Sequence, residues 1–134
     1  MSARTILITG AGRGLGRALT ERFIEAGHTV TGCSRQAAHV AALARRFGKP
    51  HRFDTIDVTD DAAVERWAKA ALAAAGPPDL LLNNAAVVNE NAVLWHVPPD
   101  QFSHVIDVNM NTNTGHWSSP SRDRTWSRST VDRR

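Results

Sequence analysis

An open α/β sheet of parallel strands joined by helical crossovers is the fold this sequence predicts, and three observations carry it. Short apolar, β-branched runs alternate with segments whose apolar residues recur at helical spacing, as far as residue 110. A glycine-rich stretch, "TGAGRGLG" (9–16), joins the first such run to the first helix. The helical segments are long enough to serve as right-handed crossovers, which return each strand parallel to the one before.

The first strand is read at 4–9, "RTILIT", an apolar run suited to burial on both faces. The helix after the glycine stretch places Leu15, Ala18, Leu19, Phe23 and Ala26 on one face, and Gly27 ends it. "HTVTGC" (28–33) is the second strand. Val40, Leu43, Ala44 and Phe47 mark the second helix, closed by Gly48 with Pro50 beyond. "RFDTIDV" (52–58) alternates as a third strand. Thr59 or Asp60 caps a third helix whose stripe is Val64, Trp67, Ala68, Ala71, Leu72 and Ala75, stopped by "GPP" (76–78). "DLLLNN" (79–84) is the fourth strand, and Pro98 and Pro99 introduce a fourth helix with Phe102, Val105, Ile106 and Asn109 on one face.

The 134 residues suffice for one domain with a modest core, and 42% hydrophobic with 22% charged residues is an ordinary globular balance. A single cysteine, Cys33, excludes an internal disulfide and suits a reducing compartment. The N-terminus enters a strand without a signal-peptide core, and no run approaches the roughly 18 apolar residues of a membrane span. A cytoplasmic location without a membrane partner is therefore expected. Six histidines show no metal-ligand spacing, so no metal site is expected.

Charge divides unevenly along the chain. Residues 1–110 hold 11 Lys+Arg and 11 Asp+Glu, so the whole +3 comes from the five Arg and two Asp of 111–134. That last segment, "NTNTGHWSSPSRDRTWSRSTVDRR", has only Trp117, Trp126 and Val131 as large apolar residues and no period. It cannot bury enough apolar area to offset roughly 1–2 kcal/mol of backbone entropy per residue, and disorder is expected. The expected organisation is a folded part at 1–110 and a tail at 111–134, the tail read as out-of-frame translation after a shift near codon 111. Its tryptophans and arginines also suit stacking and phosphate pairing on RNA, though so short a segment argues against a nucleic-acid partner.

The glycine stretch carries the chemistry. A phosphate needs backbone N–H donors and the positive end of a helix at close range, and glycines at 10, 12, 14 and 16 clear the approach. A tight strand-to-helix turn alone explains the same glycines. The spacing Thr-Gly-x-x-x-Gly-x-Gly, however, resembles the cofactor turn of the short-chain dehydrogenase/reductase family. Four further matches follow in the family's order, and the resemblance covers about residues 4–111.

The resemblance implies a Rossmann-like three-layer α/β/α half, truncated, with strand order 3-2-1-4. The fourth strand is then left on an edge that the family covers with a fifth, and an open edge invites self-association. Thr9, Gly10, Arg13, Gly14, Leu15 and Gly16 would meet the cofactor phosphates. "CSR" (33–35) brings Ser34 and Arg35 to the strand end that faces the adenosine ribose. An acid there favours NAD and an arginine NADP, so NADP is the expected cofactor, with Arg13 a second cation as in NADP-preferring relatives. Asp57 and Val58 would lie against the adenine, unless Asp57 is a loop acid. Asn83, Asn84, Ala85 and Ala86 resemble the family's Asn-Asn-Ala-Gly on the nicotinamide side, with Ala86 in place of the usual Gly. Asn109 matches an active-site asparagine; a plain bond to a backbone carbonyl would explain it as well.

The family reaction moves hydride between NADP(H) and a carbonyl or alcohol, using a serine and a Tyr-x-x-x-Lys. This sequence contains no tyrosine, and its two lysines, Lys49 and Lys69, fall in the cofactor half. The chain is thus expected to be inactive alone, a substrate being relevant only to a full-length form. A non-catalytic module that binds NADP or a partner is the alternative.

Overall fold

The computed structural model describes residues 2–87 and 93–111 and two short strands at 116–118 and 127–129. The chain divides into two compact units, Met1–Ala85 and Ala86–Arg134.

The first unit contains β1 (Thr5–Thr9), α1 (Gly14–Glu25), β2 (Thr29–Ser34), α2 (Ala37–Phe47), β3 (Arg52–Thr55), α3 (Asp61–Ala75) and β4 (Leu80–Leu82). Its strands lie in the order β3-β2-β1-β4, every pair parallel. The α/β class and the 3-2-1-4 order expected from the sequence are what the chain adopts.

Successive side chains of a strand point to opposite faces, so β1 serves two cores at once. Ile6 and Ile8 join Val30, Leu43 and Ala11, with Leu19, Phe23 and Ile24 of α1 and Phe47 of α2 packed against them. Leu7 and Cys33 face the other way and meet Trp67 and Ala71 of α3. The sheet is therefore the middle layer of three. Ile8 is 0% exposed, and burying a side chain of that size stabilises by about 1.5–3 kcal/mol. Trp67 is buried with its indole N–H donating to Asp54 Oδ2 at 3.1 Å, which ties α3 to β3.

Several element faces differ from expectation. In α1 the buried positions are Gly16 and Thr20, whereas Leu15, Ala18 and Ala26 are exposed. The helix is turned so that Gly16 can approach the glycine-rich turn, and Thr20 is satisfied by donating to Gly16 O at 2.8 Å. Ala44 and Ala75 are exposed too; so small a side chain marks a face weakly. β3 stops at Thr55 because Asp57 turns the chain, its Oδ1 accepting from Thr59 N at 3.0 Å and Thr59 Oγ1 at 2.7 Å. Asp60, not Thr59, caps α3 by accepting from Ala63 N at 3.0 Å.

The second unit has a 3₁₀ turn at Leu94–His96 that periodicity does not foresee, then α4 (Pro99–Ile106) and a wider π-turn at Asp107–Asn111. Pro99 occupies the first helical turn, where its missing N–H costs nothing. Phe102, expected on the packed face, is 50% exposed, and Val108 is buried instead. β5 (His116–Ser118) and β6 (Ser127–Ser129) pair antiparallel. The rest of the segment expected to be disordered, 112–115, 119–126 and 130–134, lies outside the described residues. Among the described residues no helix is long and apolar enough to cross a membrane.

Candidate functional site

Parallel strands all end at one side of the sheet, so Thr9, Ser34 and Asn83 leave it at the same edge. There the chain after β1 turns sharply into α1. Gly10 and Gly14 hold φ of +70° and +55°, a left-handed backbone that other residues adopt at a cost. Ala11 N donates to Cys33 O at 2.9 Å, seating the turn on β2. A Cβ on Gly16 would collide with the Gly10 carbonyl oxygen and with Asn84 Nδ2. At Gly12 a Cβ would fall 2.5 Å from Ser34 Oγ and 2.7 Å from His39 Cβ. The turn thus admits no side chain at Gly12 or Gly16, and it leads into the N-terminus of α1, which has no side-chain cap.

The turn is held in place by the end of β4. Thr9 Oγ1 accepts from the backbone N–H groups of Asn84 and Ala85, each at 3.0 Å. Asn84 returns the contact, its Nδ2 donating to Thr9 O at 3.2 Å and to Gly10 O at 3.1 Å. The Thr9 hydroxyl and the Asn84 carboxamide thus shape the turn, while Asn83 is exposed.

Arg13 is the N-cap residue of α1, and Arg35 follows β2 directly; both are exposed. Among the described residues neither guanidinium makes an ion pair or a hydrogen bond. Leu15, on the first turn of α1, is 68% exposed. Asp57 is exposed and engaged in its own turn, whereas Val58 is half-buried and packs on the α3 side of the sheet. Cys33 is buried, and burial pushes its thiol up to about 12, with the charge of Asp54 adding and a Gly10 backbone hydrogen bond opposing. It is a packing residue and no nucleophile at neutral pH.

In the second unit, Asn109 clamps one backbone residue. Its Oδ1 accepts from Val87 N at 2.8 Å and its Nδ2 donates to Val87 O at 2.7 Å. The bond to backbone that offered itself as the simpler account of Asn109 is present. Ala86, exposed, immediately precedes the clamped residue.

Nothing in the sequence singles out His39: the histidines show no metal-ligand spacing, and a helix position four residues beyond Arg35 carries no motif. Its contact with Gly12 exists only once α2 has folded back on the turn.

A family model described as short chain dehydrogenase matches residues 4–114. The chain is 38% identical over 112 residues to an NADPH-dependent pterin aldehyde reductase of Arabidopsis thaliana, covering 82% of this chain and 46% of that protein. It is 31% identical over 110 residues to a 3-oxoacyl-(acyl-carrier-protein) reductase of Vibrio harveyi, covering 82% of this chain and 45% of the relative. The crystal structure of 3-ketoacyl-(acyl-carrier-protein) reductase from Brucella melitensis, complexed with NADH, matches with a TM-score of 0.77 at 30% identity. That match covers 81% of this chain and 45% of the other. The chain spans a little under half the length of these relatives.

Proposed function

The chain belongs to the short-chain dehydrogenase family, and on that premise we propose that its first unit binds NADP in preference to NAD. The residues present fit the group: Gly10, Gly12 and Gly16 admit no side chain, so the backbone of the turn stays bare at the N-terminus of α1, where the pyrophosphate would approach. Gly10, Arg13, Gly14, Leu15 and Gly16 would hold the phosphates, Ser34 and Arg35 the adenosine ribose and its 2′-phosphate. Asp57 and Val58 would border the adenine, and Asn83, Ala85 and Ala86 the nicotinamide side, with Thr9 and Asn84 bracing the turn. When bound, the dinucleotide supplies or accepts a hydride in exchange with a carbonyl or alcohol substrate.

The observation that carries NADP over NAD is the pair of unengaged guanidinium groups, Arg35 at the strand end where NAD-binding chains place an acid and Arg13 in the glycine turn. The tyrosine that protonates the substrate oxygen in this family has no counterpart in the 134 residues. These residues by themselves therefore bind the cofactor without turning it over, and Asn109 stands where the family's active site would begin. Titrating the chain with NADPH and NADH tests the first claim: tighter NADPH binding, lost in Arg35→Ala, supports it, and equal affinity overturns it. Oxidation of NADPH by this chain with a panel of aldehydes and ketones would overturn the second.

A further inference from the structure

Two polar side chains from different elements crowd the point that a Gly12 Cβ would occupy. Ser34 Oγ stands 2.5 Å from it and His39 Nδ1 2.9 Å from it. Ser34 Oγ accepts a long 3.4 Å bond from Gln36 N. Among the described residues the His39 ring makes no hydrogen bond, ion pair or ring contact. His39 lies in the first turn of α2, and Arg13 and Arg35 flank Gly12 and Ser34 in the chain.

The surroundings are built for negative charge from outside. α1 and α2 both start with no side-chain cap and no acidic residue in the first turn. α3, which starts away from the glycine turn, has Asp60 as its cap and Asp61 after it. From residue 26 to residue 53 the sequence contains no Asp or Glu. Two helix N-termini without side-chain caps, two guanidinium groups without partners among the described residues, a hydroxyl and an imidazole thus belong to the segments around Gly12 and Ser34, which carry no acidic residue of their own.

Resting on the NADP-binding reading, we infer that His39 is a specificity-determining residue: its imidazole N–H donates to the 2′-phosphate of NADP, beside Ser34 and Arg35. The 2′-hydroxyl of NAD offers that N–H no charge, so the contact favours one dinucleotide over the other.

The full chain titrated with 2′,5′-ADP and with 5′-AMP isolates this contact, because the two probes differ only in the phosphate. His39→Ala is expected to weaken 2′,5′-ADP about tenfold, the size of one charge-assisted hydrogen bond, with 5′-AMP unchanged. His39→Asn, which carries an amide N–H close to the Nδ1 position, is expected to recover part of the loss. Equal weakening of both probes by His39→Ala would make His39 a packing residue and overturn the inference. If the unaltered chain prefers 2′,5′-ADP, and Arg35→Ala erases that preference while His39→Ala does not, the NADP reading stands and His39 falls. If the unaltered chain shows no preference, the NADP reading falls and takes this contact with it.

Discussion

At the scale of single residues, the glycine turn has no spare volume. Gly16 faces a backbone carbonyl and the carboxamide that braces it, and backbone cannot swing aside as a long side chain would. Gly16→Ala is expected to cost about 1–3 kcal/mol of stability, read from the urea midpoint, and to lower NADPH affinity in the same variant. Cys33 invites a second test. With its thiol raised to about 12 by burial, the folded chain should resist alkylation at neutral pH and label fully only in denaturant. Rapid labelling of the native chain would show that β2 opens. The glycines were legible as a motif because spacing alone reveals them. The roles of Thr9 and Asn84 were legible only as polar residues at strand ends, since their mutual bonds join positions 75 apart in the chain.

At the scale of elements, strands and helices were readable wherever large apolar residues set the period. β1 and β2 alternate between the two cores, and α3 buries Trp67, Ala68 and Ala71 as its stripe predicts. The stripe held only in part in α1: Leu19 and Phe23 pack on the core as expected, but the buried positions are a glycine and a threonine that hydropathy does not favour. Capping followed chemistry more than hydropathy. Asp60 supplies the side-chain cap of α3, and Asp60→Ala is expected to cost about 1 kcal/mol, measured by thermal or urea unfolding, with dinucleotide affinity unaffected. In α4 the amphipathic reading placed Phe102 inward, yet the helix buries none of its residues. An eight-residue helix has few positions from which to read a face, and what it packs on decides the matter.

At the scale of the whole molecule, the floor of the first unit's sheet is closed by side chains that precede each neighbouring strand. Thr5 N donates to Asp79 Oδ2 at 2.8 Å, Arg4 N to His28 Nδ1 at 3.2 Å, and Val30 N to His51 Nδ1 at 3.2 Å. An imidazole accepts at Nδ1 only while that nitrogen carries no proton. Burial lowers the His51 pKa below the ordinary 6.5, so the unfolded chain takes up the proton first. Its contribution is therefore fully present above 6.5 and lost as the pH falls through the lower, folded value. Urea midpoints measured from about pH 7 down to about pH 5 should decline, and His51→Asn, whose carbonyl oxygen accepts at every pH, should flatten the slope. An unchanged slope would remove His51 from the account. The sequence by itself determined the α/β class, the glycine-rich turn and the absence of a tyrosine, because each is a matter of local pattern or plain count, while the strand order followed from the family resemblance. Only the tertiary structure decided that Asn84 reaches the Gly10 carbonyl across 74 positions and that His39 stands at Gly12. Periodicity records which face a residue shares with its near neighbours; which side chains from separate elements converge is settled by packing, once the crossovers have brought the strand ends to one edge.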